Sequence, residues 1–287
     1  MSQYIKDILF KLEIQGISYF KTLSNLLKSE KDIVDMALSL NGWSLEFAPD
    51  VFKEDKDFVL QSVLKHPPSL KFACKELQDD LDIVLPAIKN DGLLLQYAST
   101  NLQNNKQVVL IAVEEDGYGL QFASKELQDD DEVAFIAVSQ SGYALDYVSE
   151  RLKNNKKLGI IGVSRNGCSL EYLSPLLQND KELVLKAVSR DGNSLQFASD
   201  ELKNNKDIVL TAIKEDGKSI IHASVNMQND IDIINTFLGN EKNKSDHLHR
   251  PNPLYLEYQK KLKIIEENQW LDNNIPTHHT NHKVRKF

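Results

Sequence analysis

The side chains best suited to metal chemistry in this 287-residue chain are its seven histidines. Five of them lie near the C-terminus, in the segments HLH (247–249) and HHTNH (278–282). Imidazole nitrogens bind zinc, but neither segment has a cysteine or carboxylate partner at the spacing of one helical turn. The other two, His66 and His222, stand apart in the sequence. We therefore predict that the chain has no metal site.

The two cysteines, Cys74 and Cys168, match no metal-binding spacing and are too few for a disulfide framework. We expect both to be reduced thiols that pack as small apolar residues. The chain has no G-x-S-x-G nucleophile elbow, no phosphate-binding glycine loop and no cysteine with an evident histidine base. The prediction is a protein that is not an enzyme and uses no cofactor.

Pairs of Asp or Asn recur along the chain and resemble calcium ligands at first inspection. The pairs are Asp79-Asp80, Asn104-Asn105, Asp129-Asp130, Asn154-Asn155 and Asn204-Asn205. A calcium site needs six to eight oxygens that converge from a shaped loop, whereas each pair supplies only two adjacent side chains and no glycine. Asp and Asn also accept hydrogen bonds from the free N–H groups at helix starts. We therefore predict that the pairs cap helices.

The spacing of these pairs belongs to a 25-residue repeat. Its clearest marker is a glycine at 42, 92, 117, 142, 167, 192 and 217, with Pro67 at the one missing step. We count positions within each unit from this lattice residue, which is position 0. Leucine or isoleucine stands at position 3, mostly alanine at position 6 and mostly leucine at position 10. Nine such units span residues 17–240, and the first is degenerate.

Each unit is predicted to form two short helices. Positions 3, 6 and 10 share one helical face, and positions 16, 17, 20 and 21 share another. The lattice glycine is expected in the left-handed conformation after the second helix, and the serine at position 2 is expected to accept a backbone hydrogen bond at the next helix start. One helical pair cannot bury both faces alone. The sequence therefore predicts an all-α solenoid of about nine stacked two-helix units.

The two ends of the chain depart from the repeat. Residues 1–16 are expected to form an N-terminal helix or cap, and residues 241–287 a C-terminal helix with a polar tail. Apolar residues at helical spacing within this second segment are Leu254, Tyr258, Leu262 and Ile265. We expect that helix to cap the open end of the solenoid, as repeat arrays require. The alternative is a delivery signal within the last 25 residues, which end in the basic sequence HKVRKF.

Charge and hydropathy restrict the classes of partner. Residues 241–287 carry nine basic and six acidic residues, so a net charge of −8 for the whole chain leaves −11 on residues 1–240. An acidic body repels phosphate backbones, which argues against nucleic acid. No apolar run approaches the roughly 20 residues that span a bilayer. The N-terminus lacks a secretory h-region, so we expect the protein to start in the cytosol of its producer.

Two columns of the repeat carry large apolar side chains. Position 5 is aromatic in seven units, and we assign this column to packing against the adjacent unit. Position 1 lies at a predicted tip, where exposed apolar side chains often mark a protein contact. Its residues are Trp43, Pro68, Leu93, Tyr118, Tyr143, Cys168, Asn193 and Lys218. We predict a binding ridge that includes Trp43, Leu93, Tyr118 and Tyr143; the alternative is that these side chains fold back over the next helix start.

The repeat pattern DGxxLxxASxxLxxDxxVVLxAV resembles the bacterial family catalogued as domain of unknown function 4116. The family unit corresponds to about two of the 25-residue periods, and the resemblance covers about three quarters of the chain. Pro67-Pro68, Gly159, Gly162 and the segment after residue 240 depart from the pattern. The family has no assigned catalytic residues. Its occurrence in large proteins of intracellular bacteria implies an interaction module or an effector delivered into a host cell.

These observations favour a non-enzymatic scaffold that binds a protein partner, as a monomer rather than an obligate oligomer. The competing hypothesis is an accessory or substrate-recruiting module of an enzyme. In that case a site is expected near the C-terminal repeats, in a pocket that joins His222 to His247 or His249.

Overall fold

The computed structural model describes residues 3–244 and 253–274, and this part of the chain is helical without a β-strand. The chain forms an all-α repeat solenoid of 25-residue units, as the sequence predicts. A helix at Gln3–Gln15 precedes the units and a helix at Pro253–Asn274 follows them. The units, numbered 1 to 9, begin at residues 17, 42, 67, 92, 117, 142, 167, 192 and 217.

Each complete unit contains three helical segments rather than the two predicted. The first is a 3-10 helix, at Gly42–Phe47, Pro67–Phe72, Gly92–Tyr97, Gly117–Phe122, Gly142–Asp146, Gly167–Tyr172, Gly192–Phe197 and Gly217–His222. A short helix follows, at Asp50–Lys53, Leu77–Asp79 (3-10), Thr100–Gln103, Lys125–Gln128, Glu150–Lys153, Pro175–Gln178, Asp200–Lys203 and Val225–Gln228. A longer α-helix closes each unit, at Lys31–Leu40, Lys56–Lys65, Leu81–Ile88, Lys106–Glu115, Asp131–Gln140, Lys156–Arg165, Lys181–Arg190, Lys206–Glu215 and Ile231–Lys244. Unit 1 replaces the 3-10 helix with α-helix Ile17–Thr22, followed by Asn25–Lys28.

The predicted first helix breaks at positions 6 and 7 because side chains there satisfy the backbone in another way. In unit 4, Ala98 is extended (φ −71°, ψ 157°), and the Ser99 hydroxyl accepts a hydrogen bond from the Leu102 N–H at 3.2 Å. The Gln103 amide donates to the Leu95 and Ala98 carbonyls, at 3.1 and 3.2 Å. The short helix therefore has its own cap, and carbonyls at the end of the 3-10 helix are satisfied without a continuous α-helix.

The polar pairs do cap helices, and they also join neighbouring units. The position-13 residue caps the long helix of its own unit: Asn155 accepts from the Lys157 and Leu158 N–H groups at 3.0 and 3.2 Å. The position-12 residue instead bonds to the next unit, where the Ser174 hydroxyl donates to the Asn154 side chain at 2.7 Å. The same hydroxyl–Asx link recurs along the stack, so one half of each pair is an inter-unit connector.

The lattice glycines are needed for close approach and not for a left-handed conformation. Among the described residues, Gly16 alone has a positive φ, so the prediction of a left-handed C′ residue is wrong. A Cβ on Gly167 would lie 2.5 Å from the Ala187 carbonyl oxygen, in the long helix of the same unit, and 2.7 Å from the Ser194 hydroxyl oxygen, in the following unit. The glycine therefore lets the 3-10 helix pack closely against the long helix of its own unit and against the start of the next unit.

The buried serines at position 2 also differ from expectation. The Ser44 hydroxyl donates to the Ala37 carbonyl at 2.9 Å, and the Ser69 hydroxyl donates to the Gly42 carbonyl at 2.9 Å. The residue before the glycine caps the 3-10 helix instead: the Asp191 side chain accepts from the Asn193 N–H at 3.0 Å. These two serines are buried in the core, where each hydroxyl donates a hydrogen bond to a backbone carbonyl.

The core runs along the solenoid as one continuous layer. Positions 16, 17, 20 and 21 of the long helices are buried, except for the half-buried Leu238 of unit 9. In unit 8 these residues, Ile208, Val209, Ala212 and Ile213, have no exposed surface. Side chains from the 3-10 segments, such as Leu195, close the layer from the other side. Each unit therefore shares its core with both neighbours, as the sequence pattern predicts.

Lysine side chains link alternate pairs of units. Each reaches one carboxylate at position 13 and another at position 15 of the following unit. The links are Lys56 with Asp80 and Asp82, Lys106 with Asp130 and Glu132, Lys156 with Asp180 and Glu182, and Lys206 with Asp230 and Asp232, at 2.6–3.0 Å. Units 2, 4, 6 and 8 supply these four lysines, and units 3, 5, 7 and 9 supply the paired carboxylates; Lys181 of unit 7 also forms a single ion pair with Asp207 of unit 8, at 3.3 Å.

The C-terminal helix covers the last unit, as predicted. Tyr258 is 3 % exposed and its ring packs edge-on against Phe237 with centroids 5.1 Å apart. Its hydroxyl lies 3.3 Å from the Gln228 side-chain oxygen. Leu254, Leu262 and Ile265 also pack on the core. The basic end HKVRKF lies outside the described residues.

Candidate functional site

The stacked 3-10 segments bring the position-1 and position-5 columns together on one face. In three pairs of neighbouring units, a ring at position 1 meets a ring at position 5 of the following unit, 29 residues later. The ring centroids are 5.7 Å apart for Trp43 and Phe72, 6.2 Å for Tyr118 and Tyr147, and 6.3 Å for Tyr143 and Tyr172, all in edge-to-face geometry. We call the surface formed by these two columns the aromatic face.

The four predicted ridge residues, Trp43, Leu93, Tyr118 and Tyr143, all lie on the aromatic face and are half-buried. They share this surface with the position-5 rings, which are also half-buried and pack on the core. The predicted ridge and the predicted packing column are thus one surface. The sequence assigned Tyr147 and Tyr172 to packing alone, because their partners become adjacent only when units stack.

At the N-terminal end of the aromatic face, lysines of the chain already contact the rings. The Lys71 ammonium lies 4.9 Å from the Phe72 ring centroid and 5.7 Å from that of Trp43. The Lys21 ammonium lies 4.3 Å from the Phe47 centroid. Cations at these distances are attracted by the negative face of an aromatic ring. Lys71 stands at position 4 of unit 3. It therefore covers the ring pair that Trp43 of unit 2 and Phe72 of unit 3 form across the boundary between these units.

In the middle of the same face, carboxylates occupy position 4. Asp146 and Glu171 are exposed, and each follows the pattern of Lys71 beside a ring pair: Tyr118 with Tyr147, and Tyr143 with Tyr172. We call these four tyrosines and two carboxylates the tyrosine cluster. In the part of the chain that the structure describes, neither carboxylate forms an ion pair and no cation lies over the four rings.

The electrostatics of the tyrosine cluster are negative. Burial raises the pKa of the Tyr143 phenol, and the neighbouring groups Cys168, Tyr118, Asp191 and Glu171 raise it further. The Tyr172 pKa is raised by burial first and then by Glu171 and Asp146. Negative charge nearby disfavours phenolate formation. The Tyr143 and Tyr172 phenols therefore stay protonated at neutral pH, and both lie beside carboxylates of the cluster.

Cys168 belongs to the position-1 column but is poorly suited to nucleophilic chemistry. Burial, and then a 3.2 Å contact of its sulfur with the Asp191 carboxylate, raise its pKa to about 11. The nucleophilic form of cysteine is the thiolate, which is scarce at neutral pH when the pKa is this high. The geometry gives this thiol a packing role.

Two clefts lie beside the 3-10 segments. One of about 450 Å³ is lined by residues that include Gln121, Tyr147, Glu150 and Lys153, so it adjoins the tyrosine cluster. The other, of about 330 Å³, lies between the ends of the first two long helices and includes His66. Burial lowers the pKa of His66, whose ring centroid lies 4.6 Å from that of Trp43 with the two rings tilted by 42°.

The histidine-rich segments 247–249 and 278–282 lie outside the described residues, so the pocket that would join His222 to them is not described either. Within residues 3–244 and 253–274, no three His, Cys, Asp or Glu side chains come together in a way that could hold a metal ion. No helix in that part combines the length and apolar character needed to cross a bilayer.

These features define the class: an all-α repeat solenoid whose stacked 3-10 segments present an aromatic surface. The chain belongs to the family described as Domain of unknown function (DUF4116). Eight overlapping matches to the family model cover residues 30–78, 55–103, 80–128, 105–153, 130–178, 160–203, 180–228 and 205–243. Neither a curated protein nor a solved structure matches the chain.

Proposed function

We propose that this protein is a non-enzymatic scaffold that binds a protein partner through the aromatic face. The observation that carries the proposal is the continuity of half-exposed rings across unit boundaries, from Trp43 to Tyr172. Tyrosine and tryptophan are enriched in protein interfaces because they bury large areas at a low cost in side-chain entropy. Delivery into a host cell is a part of this proposal that rests on the family resemblance alone.

Purification with three tagged baits tests the proposal: the full chain, Trp43→Ala with Tyr118→Ala, and Leu64→Ala with Leu81→Ala. The control pair consists of exposed leucines outside the position-1 and position-5 columns. We expect the aromatic variant to lose specific partners that the full chain and the control retain. Circular dichroism checks that all three baits are equally helical. Retention of every partner by the aromatic variant would refute binding through this face.

A fourth bait without residues 241–287 separates the solenoid from the C-terminal segment. We expect it to keep the partner, because the aromatic face lies wholly within the repeats. Loss of the partner from this bait alone, with helix content otherwise preserved, would move the contact to the C-terminal segment and support the accessory-module hypothesis.

A further inference from the structure

We propose that the tyrosine cluster binds a protein segment that carries two arginine or lysine side chains three residues apart. This inference rests on the proposed function and names the chemistry of the partner. The two cations would lie against the ring pairs Tyr118–Tyr147 and Tyr143–Tyr172, beside Asp146 and Glu171.

The chain itself shows how a cation occupies this surface. Lys71 at position 4 lies over the ring pair Trp43–Phe72. Units 6 and 7 keep equivalent ring pairs, but their position-4 residues are Asp146 and Glu171. The internal cation is thus replaced by a carboxylate, which leaves the ring faces open and adds a counter-charge. A cation from a partner meets both requirements in units 6 and 7.

Charge complementarity selects a basic segment over an apolar or acidic one. A cation over an aromatic ring gains roughly 0.5–1 kcal/mol at an exposed site, and an adjacent carboxylate adds a further attraction that salt screens. An acidic segment would face two carboxylates and an acidic solenoid. An apolar segment would exclude water from those carboxylates without giving them a hydrogen-bonding or charged partner, which costs free energy of desolvation.

The spacing of the repeat sets the spacing of the cations. Neighbouring units of packed helices lie about 8–10 Å apart. A segment in the polyproline II conformation advances about 3.1 Å per residue and returns to the same face every third residue, which is about 9 Å. The matching pattern is therefore Arg-x-x-Arg or Lys-x-x-Lys, with one cation for each ring pair.

The test uses the full-length protein and three fluorescein-labelled peptides in fluorescence anisotropy. The probe is RPPRPPRPP; the comparison peptides are QPPQPPQPP, which has no cations, and RPRPRPPPP, in which the same three arginines are two residues apart. We expect RPPRPPRPP to bind at least tenfold more tightly than the glutamine peptide and at least threefold more tightly than the respaced one. Equal binding of all three peptides would overturn the proposal.

Paired variants locate the site. Asp146→Asn with Glu171→Gln is expected to weaken binding of RPPRPPRPP at least tenfold. Glu126→Gln with Asp200→Asn removes the same two charges from exposed positions on short helices, and should change the dissociation constant less than twofold. Equal losses in the two variants would show that the peptide responds only to net charge, and the proposal would fail.

A second pair tests the rings. Tyr143→Phe keeps the aromatic ring at this position and should change the affinity for RPPRPPRPP less than threefold. Tyr143→Leu removes the ring and should weaken binding at least fivefold. If the Tyr143→Leu variant bound RPPRPPRPP as tightly as the Tyr143→Phe variant, a contact between a cation and this ring would be excluded. The outcomes also separate this inference from the proposed function. If partner capture depends on Trp43 and Tyr118 but the arginine peptide does not bind, the aromatic face remains the proposed binding surface and the basic ligand is rejected.

Discussion

Replacing a lattice glycine with alanine tests whether the close approach of the 3-10 helix to the long helix requires it. In Gly167→Ala, the new methyl group would lie 2.5 Å from the Ala187 carbonyl oxygen, which is backbone and cannot rotate away. That oxygen also accepts the Asp191 N–H at 2.9 Å. The 3-10 helix and the long helix of unit 7 must therefore separate, or the end of the long helix must distort.

The magnitude follows from two opposing effects. Overpacking of one methyl group costs about 1–3 kcal/mol, and the loss of glycine flexibility in the unfolded chain returns roughly 0.4–1 kcal/mol. We expect a net destabilisation of about 1–2 kcal/mol. Gly239→Ala is the matched control, because its Cβ would meet no atom within 4 Å and the residue lies inside helix Ile231–Lys244. That change should stabilise the protein by about 0.5–1 kcal/mol.

Urea unfolding followed by circular dichroism compares the two variants, and native-state hydrogen exchange at the Asp191 amide gives a local measurement. Gly167→Asn separates the two explanations for the glycine. Asparagine tolerates a left-handed backbone, so a C′ role predicts that Asn is milder than Ala. Close approach predicts that Asn is at least as harmful. A neutral or stabilising Gly167→Ala would refute the close-approach argument.

Three further predictions concern the unit boundaries and the thiol. Ser174→Ala removes both a cap and the bond to the preceding unit and should cost about 1 kcal/mol in urea unfolding, while the exposed Ser189→Ala should be nearly neutral; equal effects would contradict the connector role. The hydrogen bond from a lysine ammonium is the largest cause that holds the pKa of Asp130 below its usual range. The Asp130 carboxylate should therefore contribute its full stabilisation above its unfolded-state pKa of about 4. This stabilisation is lost as the pH falls through the folded-state pKa, which is lower. Asp130→Asn should reduce the difference in urea midpoint between pH 7 and pH 3, and an unchanged difference would refute the linkage. In a Cys74→Ser background, Cys168 should react with a disulfide reagent at pH 8 about 100-fold more slowly than free cysteine, given a pKa of about 11; reaction at the free-cysteine rate would show that the thiol is not held protonated.

The repeat itself was predictable from sequence because burial recurs with the same period as the residue types. Leu195 and Ile208 occupy apolar columns, and both are fully buried. The caps at position 13 were predictable for a similar reason: Asx before a helical pattern has a local function. Such features depend on one unit and its own backbone.

The features that sequence did not predict depend on a neighbouring unit or on competing side-chain bonds. Glycine suits a left-handed turn and a close contact equally well, and only the position of the Ala187 carbonyl distinguishes them. The break between the 3-10 and short helices requires the hydrogen bonds of Ser99 and Gln103. The tyrosine cluster joins residues that are 29 positions apart, so neither column alone indicates it.

The lysine bridges between alternate units have a consequence for how such an array can grow or shrink by recombination. In units 4, 6 and 8 the position-13 cap is Asn rather than Asp, and position 15 of unit 6 is Lys157. Loss of unit 3, 5 or 7 alone would place a bridging lysine opposite an amide, and in the case of unit 5 also opposite another lysine. Gain or loss of 50 residues would keep every lysine facing its two carboxylates. Each lysine bridge to two carboxylates therefore belongs to a pair of units, and gain or loss of whole pairs preserves every such bridge.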